Sequence, residues 1–144
     1  MAAGSWTLVN GARTKILDGT LKTGGTWKVA LVTNTGNVST ASTTYGALTG
    51  EVGTTNTGYT TAGTGFTPAL TGTTSVTWSF GTNPTWTAGS ANLTAKWAVV
   101  YETVSGYILA FCTLDSGGAD VTTTSGQTLT IDSDGSPAPV LTFA

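Results

Sequence analysis

Alternation of apolar and polar residues with a period of two recurs along the chain and lays out a series of short strands. In residues 26–33, Trp27, Val29 and Leu31 fall on one face and Lys28, Ala30 and Val32 on the other, which predicts a strand with Lys28 near an end or rim. Val76, Trp78 and Phe80 alternate with Thr77 and Ser79, a half-buried strand with a hydroxyl-covered outer face, and Gly81, Asn83 and Pro84 end it. The strongest local signal is a hairpin: residues 95–101 run into Val104-Ser105-Gly106, and residues 107–114 run back. Both arms carry apolar residues on both faces, so they need cover on two sides, from a second sheet plus loops or from a neighbouring subunit. Further strands are expected at 6–9, 15–17, 127–131 and 140–143, which makes seven to nine. No window of ordinary helical length shows a 3.6-residue period.

Between Asn34 and Thr74 the chain is dominated by Thr, Gly, Ser, Asn and Ala, with Val38, Tyr45, Leu48, Val52, Tyr59, Phe66 and Leu70 as sizeable apolar anchors. A structureless loop of that length is unusual inside a compact domain, so short strands are expected near 48–52 and 66–70 around an ordered excursion. Composition agrees with this map. Among 144 residues there are 34 Thr and 20 Gly, and 8% are charged, a third of the usual share. Thr favours strands and Gly favours turns. The expected fold is all-β: a β-sandwich or jelly-roll-like single domain over 1–144 with long Thr/Gly-rich loops, in which 1–6 form an N-terminal arm and 34–74 the excursion.

Charge and chemistry narrow the function. A net charge of −2 with only Arg13, Lys15, Lys22, Lys28 and Lys96 as cations argues against binding nucleic acid. Without a single His, the Ser-His-Asp triad, Cys-His pairs and His metal ligands are all unavailable. Cys112 lies in an apolar run, where a buried, inert thiol is expected. The start of the chain has neither the basic region nor the apolar run of a secretory signal, and no run of about 18 apolar residues occurs, so the chain reads as made in the cytoplasm with no membrane span.

Seven carboxylates remain. A glycosidase would need two of them about 5–10 Å apart, and Glu51 with Glu102 is the pair to test. Asp132-Ser133-Asp134-Gly135 starts like a calcium loop but lacks the third acidic position and the closing Glu, so an Asx turn is expected and no metal or other cofactor is assigned. Of five Trp, Trp27, Trp78 and Trp97 occupy strand positions and read as core. Trp6 and Trp86 are freer, as an arm anchor and as a rim residue or sugar platform respectively.

Four motifs in order carry a resemblance: Thr26-Trp27-Lys28-Val29-Ala30-Leu31-Val32-Thr33, Thr44-Tyr45-Gly46-Ala47-Leu48-Thr49-Gly50-Glu51-Val52, Thr57-Gly58-Tyr59-Thr60-Thr61-Ala62-Gly63 and Lys96-Trp97-Ala98-Val99-Val100-Tyr101. Collinear over about 21–143, they resemble a family of small virion proteins of tailed bacteriophages, with extra Thr and Gly around 34–44 and 115–126. The resemblance implies a structural role without catalytic residues, as a head decoration or cement protein on the outer capsid surface. Its partner would be the major capsid protein, and it would form a homo-oligomer, dimer or trimer. Trp6, Tyr45, Tyr59, Phe66 and Trp86 are the candidate shell or subunit contacts. A tail or fibre-base protein and a carbohydrate-binding β-sandwich module are the alternatives.

Overall fold

Stretches of three to six β-formers, interrupted by glycine or proline, can build only short strands, and such strands are stable only when several pair and bury a common face. A computed structural model describes residues 3–132 and 139–143. Among these, the elements in chain order are β1 (Thr7–Leu8), α1 (Ala12–Leu17), β2 (Trp27–Val32), β3 (Thr64–Phe66), β4 (Pro68–Thr71), β5 (Val76–Phe80), β6 (Thr85–Thr87), β7 (Leu93–Ala95), β8 (Trp97–Glu102), β9 (Ile108–Thr113), β10 (Val121–Thr123), β11 (Thr128–Thr130) and β12 (Leu141–Phe143). The fold is an all-β sandwich. A five-stranded sheet ordered β1-β9-β8-β2-β3 packs on a three-stranded sheet ordered β12-β5-β4, and two ribbons, β7-β10 and β6-β11, complete it.

The β8-β9 hairpin forms as expected and pairs with β2 over its full length, Trp27 opposite Glu102 through Val32 opposite Trp97. Residues directly opposite share a face, so the register sorts the sheet into two apolar surfaces. Trp27, Val29, Leu31, Ala98 and Val100 form one. Aromatic contacts join that face to the second sheet: Trp27 meets Trp78 edge-on at 5.1 Å, and Phe66 meets Trp78 and Phe80 at 5.6 and 4.6 Å. Lys28, Ala30, Val32, Val99 and Tyr101 form the other, which is covered by the chain's own 34–63 excursion. Of the two covers the pattern allowed, a second sheet plus loops is the one found, and both come from the chain itself.

Four local expectations change. Residues 15–17 are the last turn of α1, not a strand: Ala-Arg-Thr-Lys-Ile-Leu are mostly good helix formers, Ala12 is buried while Ile16 one turn on packs against the core, and Gly19 at φ +78 ends the turn. Around 48–52 there is a short 3-10 turn at Tyr45–Ala47 and a single bridge from Glu51 to Val32, because Gly50 at φ +73 interrupts any strand. The 66–70 segment is divided: β3 pairs with β2 and β4 with β5, so the chain changes sheets at Thr67, whose carbonyl accepts from Gly81 N at 2.7 Å. The N-terminal residues are not a free arm. Gly4 N donates to Thr113 O at 2.9 Å and Trp6 lies edge-on to Phe80 at 5.8 Å, because the exposed edge of β9 and the gap between the sheets accept them; Met1 and Ala2 lie outside the described residues.

Trp78 contacts Trp27 and Phe66 across the sandwich and Phe80 on its own strand, so Trp78→Ala should lower stability by about 3–5 kcal/mol in chemical denaturation. Thr94→Ala, which removes an exposed hydroxyl paired with Thr122, should change it by no more than about 0.5 kcal/mol.

Candidate functional site

The segments 44–52 and 57–63 meet over the apolar face of β2 and β8. Gly50 and the bridge to Val32 bring Glu51 to the sheet, and the turn through Gly58 brings Tyr59 back under it. Tyr59 Oη donates to Glu51 Oε1 at 2.7 Å and accepts from Leu31 N at 3.2 Å. Ala62 N donates to the same carboxylate oxygen at 2.7 Å, and Ala62 O accepts from Tyr101 Oη at 2.7 Å. Tyr45 stacks on Tyr101 with ring centroids 4.3 Å apart and planes 9° from parallel, and its hydroxyl also interacts with Glu51. Ala62 has φ +69, a conformation unfavourable for a residue with a Cβ, and both its backbone polar groups are held by side chains from elsewhere. Gly63 follows with its Cα against the Val29 carbonyl, where a Cβ would collide. Tyr101 and Ala62 belong to the cluster although alternation marks one only as strand and the other only as loop.

Burial, and then the neighbouring Glu51 carboxylate, raise the ionisation of Tyr45 and Tyr59 well above the usual phenol range, and the same causes push Tyr101 up to about 12. These hydroxyls stay protonated and donate at neutral pH. The lone pairs of one carboxylate oxygen are taken up by Tyr59 and Ala62, so the arrangement holds a loop in place.

Glu102 is occupied elsewhere. At the end of β8 its carboxylate accepts from Val104 N at 3.1 Å, Ser105 N at 2.7 Å and Ser105 Oγ at 2.7 Å, closing the hairpin turn. Burial opposes its charge, but these donors outweigh it and hold its pKa below the ordinary 4.5. Glu51 bridges to Val32 and Glu102 is opposite Trp27, at the two ends of β2. Five residue steps of strand separate those ends, about 16 Å, so the Glu51/Glu102 pair is not a glycosidase couple.

Asp132 Oδ1 accepts from Asn83 Nδ2 at 3.2 Å, while Asp134 lies outside the described residues. Among the described residues no three metal-ligating side chains come together, and no helix is long and apolar enough to cross a membrane. Cys112 is 1% exposed, and burial raises its thiol to about 12, so it is a buried core residue.

The five candidate contact residues fall into two groups. Tyr45, Phe66 and Trp6 are half-buried and pack on the core. Tyr59 and Trp86, each 3% exposed, are tilted against one another with centroids 6.2 Å apart, and neither presents a surface to a partner. Trp86 is interior because β6 and β11 pair at Trp86 opposite Leu129, folding the ribbon over the Tyr59 turn. No protein-family model, curated protein or solved structure gives a significant match to this chain.

Two outcomes test the lock. Glu51→Ala should cost about 2–3 kcal/mol, because Tyr59 Oη and Ala62 N lose their shared acceptor, whereas Ala62→Gly should be neutral or stabilising by up to about 1 kcal/mol through relief of the positive φ. The pH profile should fall on both sides. The raised tyrosines stabilise the fold fully below their ordinary value of 10.0 and lose that contribution as pH climbs above it. Glu102, held below 4.5, contributes above that pH and loses its contribution as acid protonates it. Denaturation midpoints against pH should show both limbs, and Glu102→Gln should flatten the acid one.

Proposed function

We propose that this chain is a non-enzymatic structural component of a tailed-bacteriophage virion, a decoration or cement protein that binds the outer head shell and bridges major capsid protein subunits, assembling there as a dimer or trimer. The observation that carries the reading is the fate of the four motifs. Their residues pack on one another: β2 pairs with β8, Glu51 bonds Tyr59, and Tyr45 stacks on Tyr101. A motif set consumed in this way specifies a scaffold, which is what a virion protein needs in many identical copies.

The surface supports the same reading. Cross-strand hydroxyl pairs, Thr87 with Thr128 and Thr94 with Thr122, cover exposed strand faces where other proteins place charges. With 8% charged residues, neighbouring copies on a curved shell repel one another little. Each bound copy would stabilise the assembled shell over the dissociated one by mass action. The carbohydrate-binding alternative is weakened, since Trp86 is buried and Trp6 is wedged against Phe80.

Quantitative mass spectrometry of purified virions, with copies of this chain measured against the major capsid protein, tests the proposal. A ratio of one to one, or another simple fraction set by shell symmetry, is expected. A few to a few tens of copies per particle would move the protein to the tail or a fibre base.

A further inference from the structure

Large apolar side chains left in solvent are informative when they cluster. Among the described residues four are exposed: Leu17 at 88%, Leu70 at 54%, Phe143 at 52% and Val104 at 87%. The first three border one groove. It consists of two adjoining hollows of about 340 and 350 Å³ that share Ile16, Leu141 and Phe143, running between α1 and the three-stranded sheet, with Trp27 and Trp78 at the inner end.

Among the described residues the charges lining it have one sign. Lys22 lines one hollow and Arg13 the other, no acidic one of those residues lines either, and both cations are exposed. The ion pair found among the described residues joins Lys15 to Asp18, so it neutralises neither of them. Along the groove runs β12, an edge strand whose partner among the described residues is β5 alone. A free strand edge beside an apolar trough is the arrangement that accepts an added strand, main chain to main chain, with alternate side chains entering the trough.

We propose that this groove docks an extended apolar segment bearing carboxylates, contributed by a partner protein, which adds to the β12 edge and places its acidic groups on Arg13 and Lys22. Charge complementarity selects this occupant over a second copy. A two-fold pairing of the chain through the same patch would set Arg13 and Lys22 of one copy against those of the other. The identity of the partner as a shell protein rests on the decoration reading; the groove's preference does not.

Two synthetic peptides with the same alternating Val/Thr centre, one flanked by Asp and one by Lys, are titrated against the full-length chain, with tryptophan emission as the signal because Trp27 and Trp78 line the groove. The Asp-flanked peptide should bind at least tenfold more tightly, and the double change R13E/K22E should invert that order. Leu17→Asp should weaken binding at least tenfold with an unchanged melting temperature, since Leu17 is almost fully in solvent. Equal binding of the two peptides, or binding indifferent to Leu17→Asp, overturns the proposal. So does self-association abolished by Leu17→Asp, which assigns the groove to a second copy, or tighter binding to phosphatidylglycerol vesicles than to the peptide, which assigns it to a membrane. Virions separate the two readings. Full occupancy by the Leu17→Asp protein removes the groove from shell binding and leaves decoration standing, whereas absence of the wild-type chain from virions with the peptide preference intact does the reverse.

Discussion

The five-stranded sheet has no polar face, and the rest of the molecule is arranged to answer that constraint. Val29, Leu31, Ala98 and Val100 on one side, and Ala30, Val32 and Val99 on the other, are all essentially inaccessible to water. A sheet apolar on both faces gains stability only when each is covered. The three-stranded sheet covers the first with an aromatic seam built on Trp78. The other is covered by a threonine- and glycine-rich excursion with few apolar anchors.

Such a cover has little apolar area to hold it down, so polar contacts with fixed geometry supply the rest. Glu51 gathers Tyr59 and Ala62, Tyr101 holds the Ala62 carbonyl, and Asn37 spans its own loop by accepting from Thr49 N at 2.9 Å and donating to Ala47 O at 3.1 Å. Hydrogen bonds of a half-buried carboxylate are stronger than neutral ones and, unlike apolar contacts, are satisfied in one position only. They explain how a sequence this low in complexity holds one conformation through 34–63. The unfavourable φ of Ala62 is tolerated for the same reason, since both neighbouring polar contacts depend on it.

The sandwich and its central hairpin were legible in the sequence because period-two alternation reports burial directly, and β2, β5, β8 and β9 carry it for five or six residues. Three-residue pieces carry no period. Lys15-Ile16-Leu17 alternates as well in a helical turn as in a strand, and β6, β7 and β10 take their pairing from partners distant in sequence. The roles of Tyr59 and Trp86 were misread on the same ground. An aromatic residue surrounded by Thr and Gly looks like a surface anchor locally, and only the fold of the β6-β11 ribbon over the Tyr59 turn makes both interior. The resemblance named Glu51 and Tyr59 together, but their hydrogen bond is a tertiary fact.

The lock and the groove use opposite sides of the molecule's chemistry. Where the chain must fix itself, polar groups are paired and the tyrosines and Glu51 are drawn against the sheet. Around α1 and β12, Leu17 and Phe143 stay in water and, among the described residues, Arg13 forms no ion pair. Leaving an apolar residue 88% exposed gives no stability to the isolated chain, and one helical turn could have carried a polar residue there equally well. The surface is otherwise finished in threonine hydroxyls, and the large exposed apolar side chains among the described residues gather mainly at one charged groove, which is the face the docking proposal rests on.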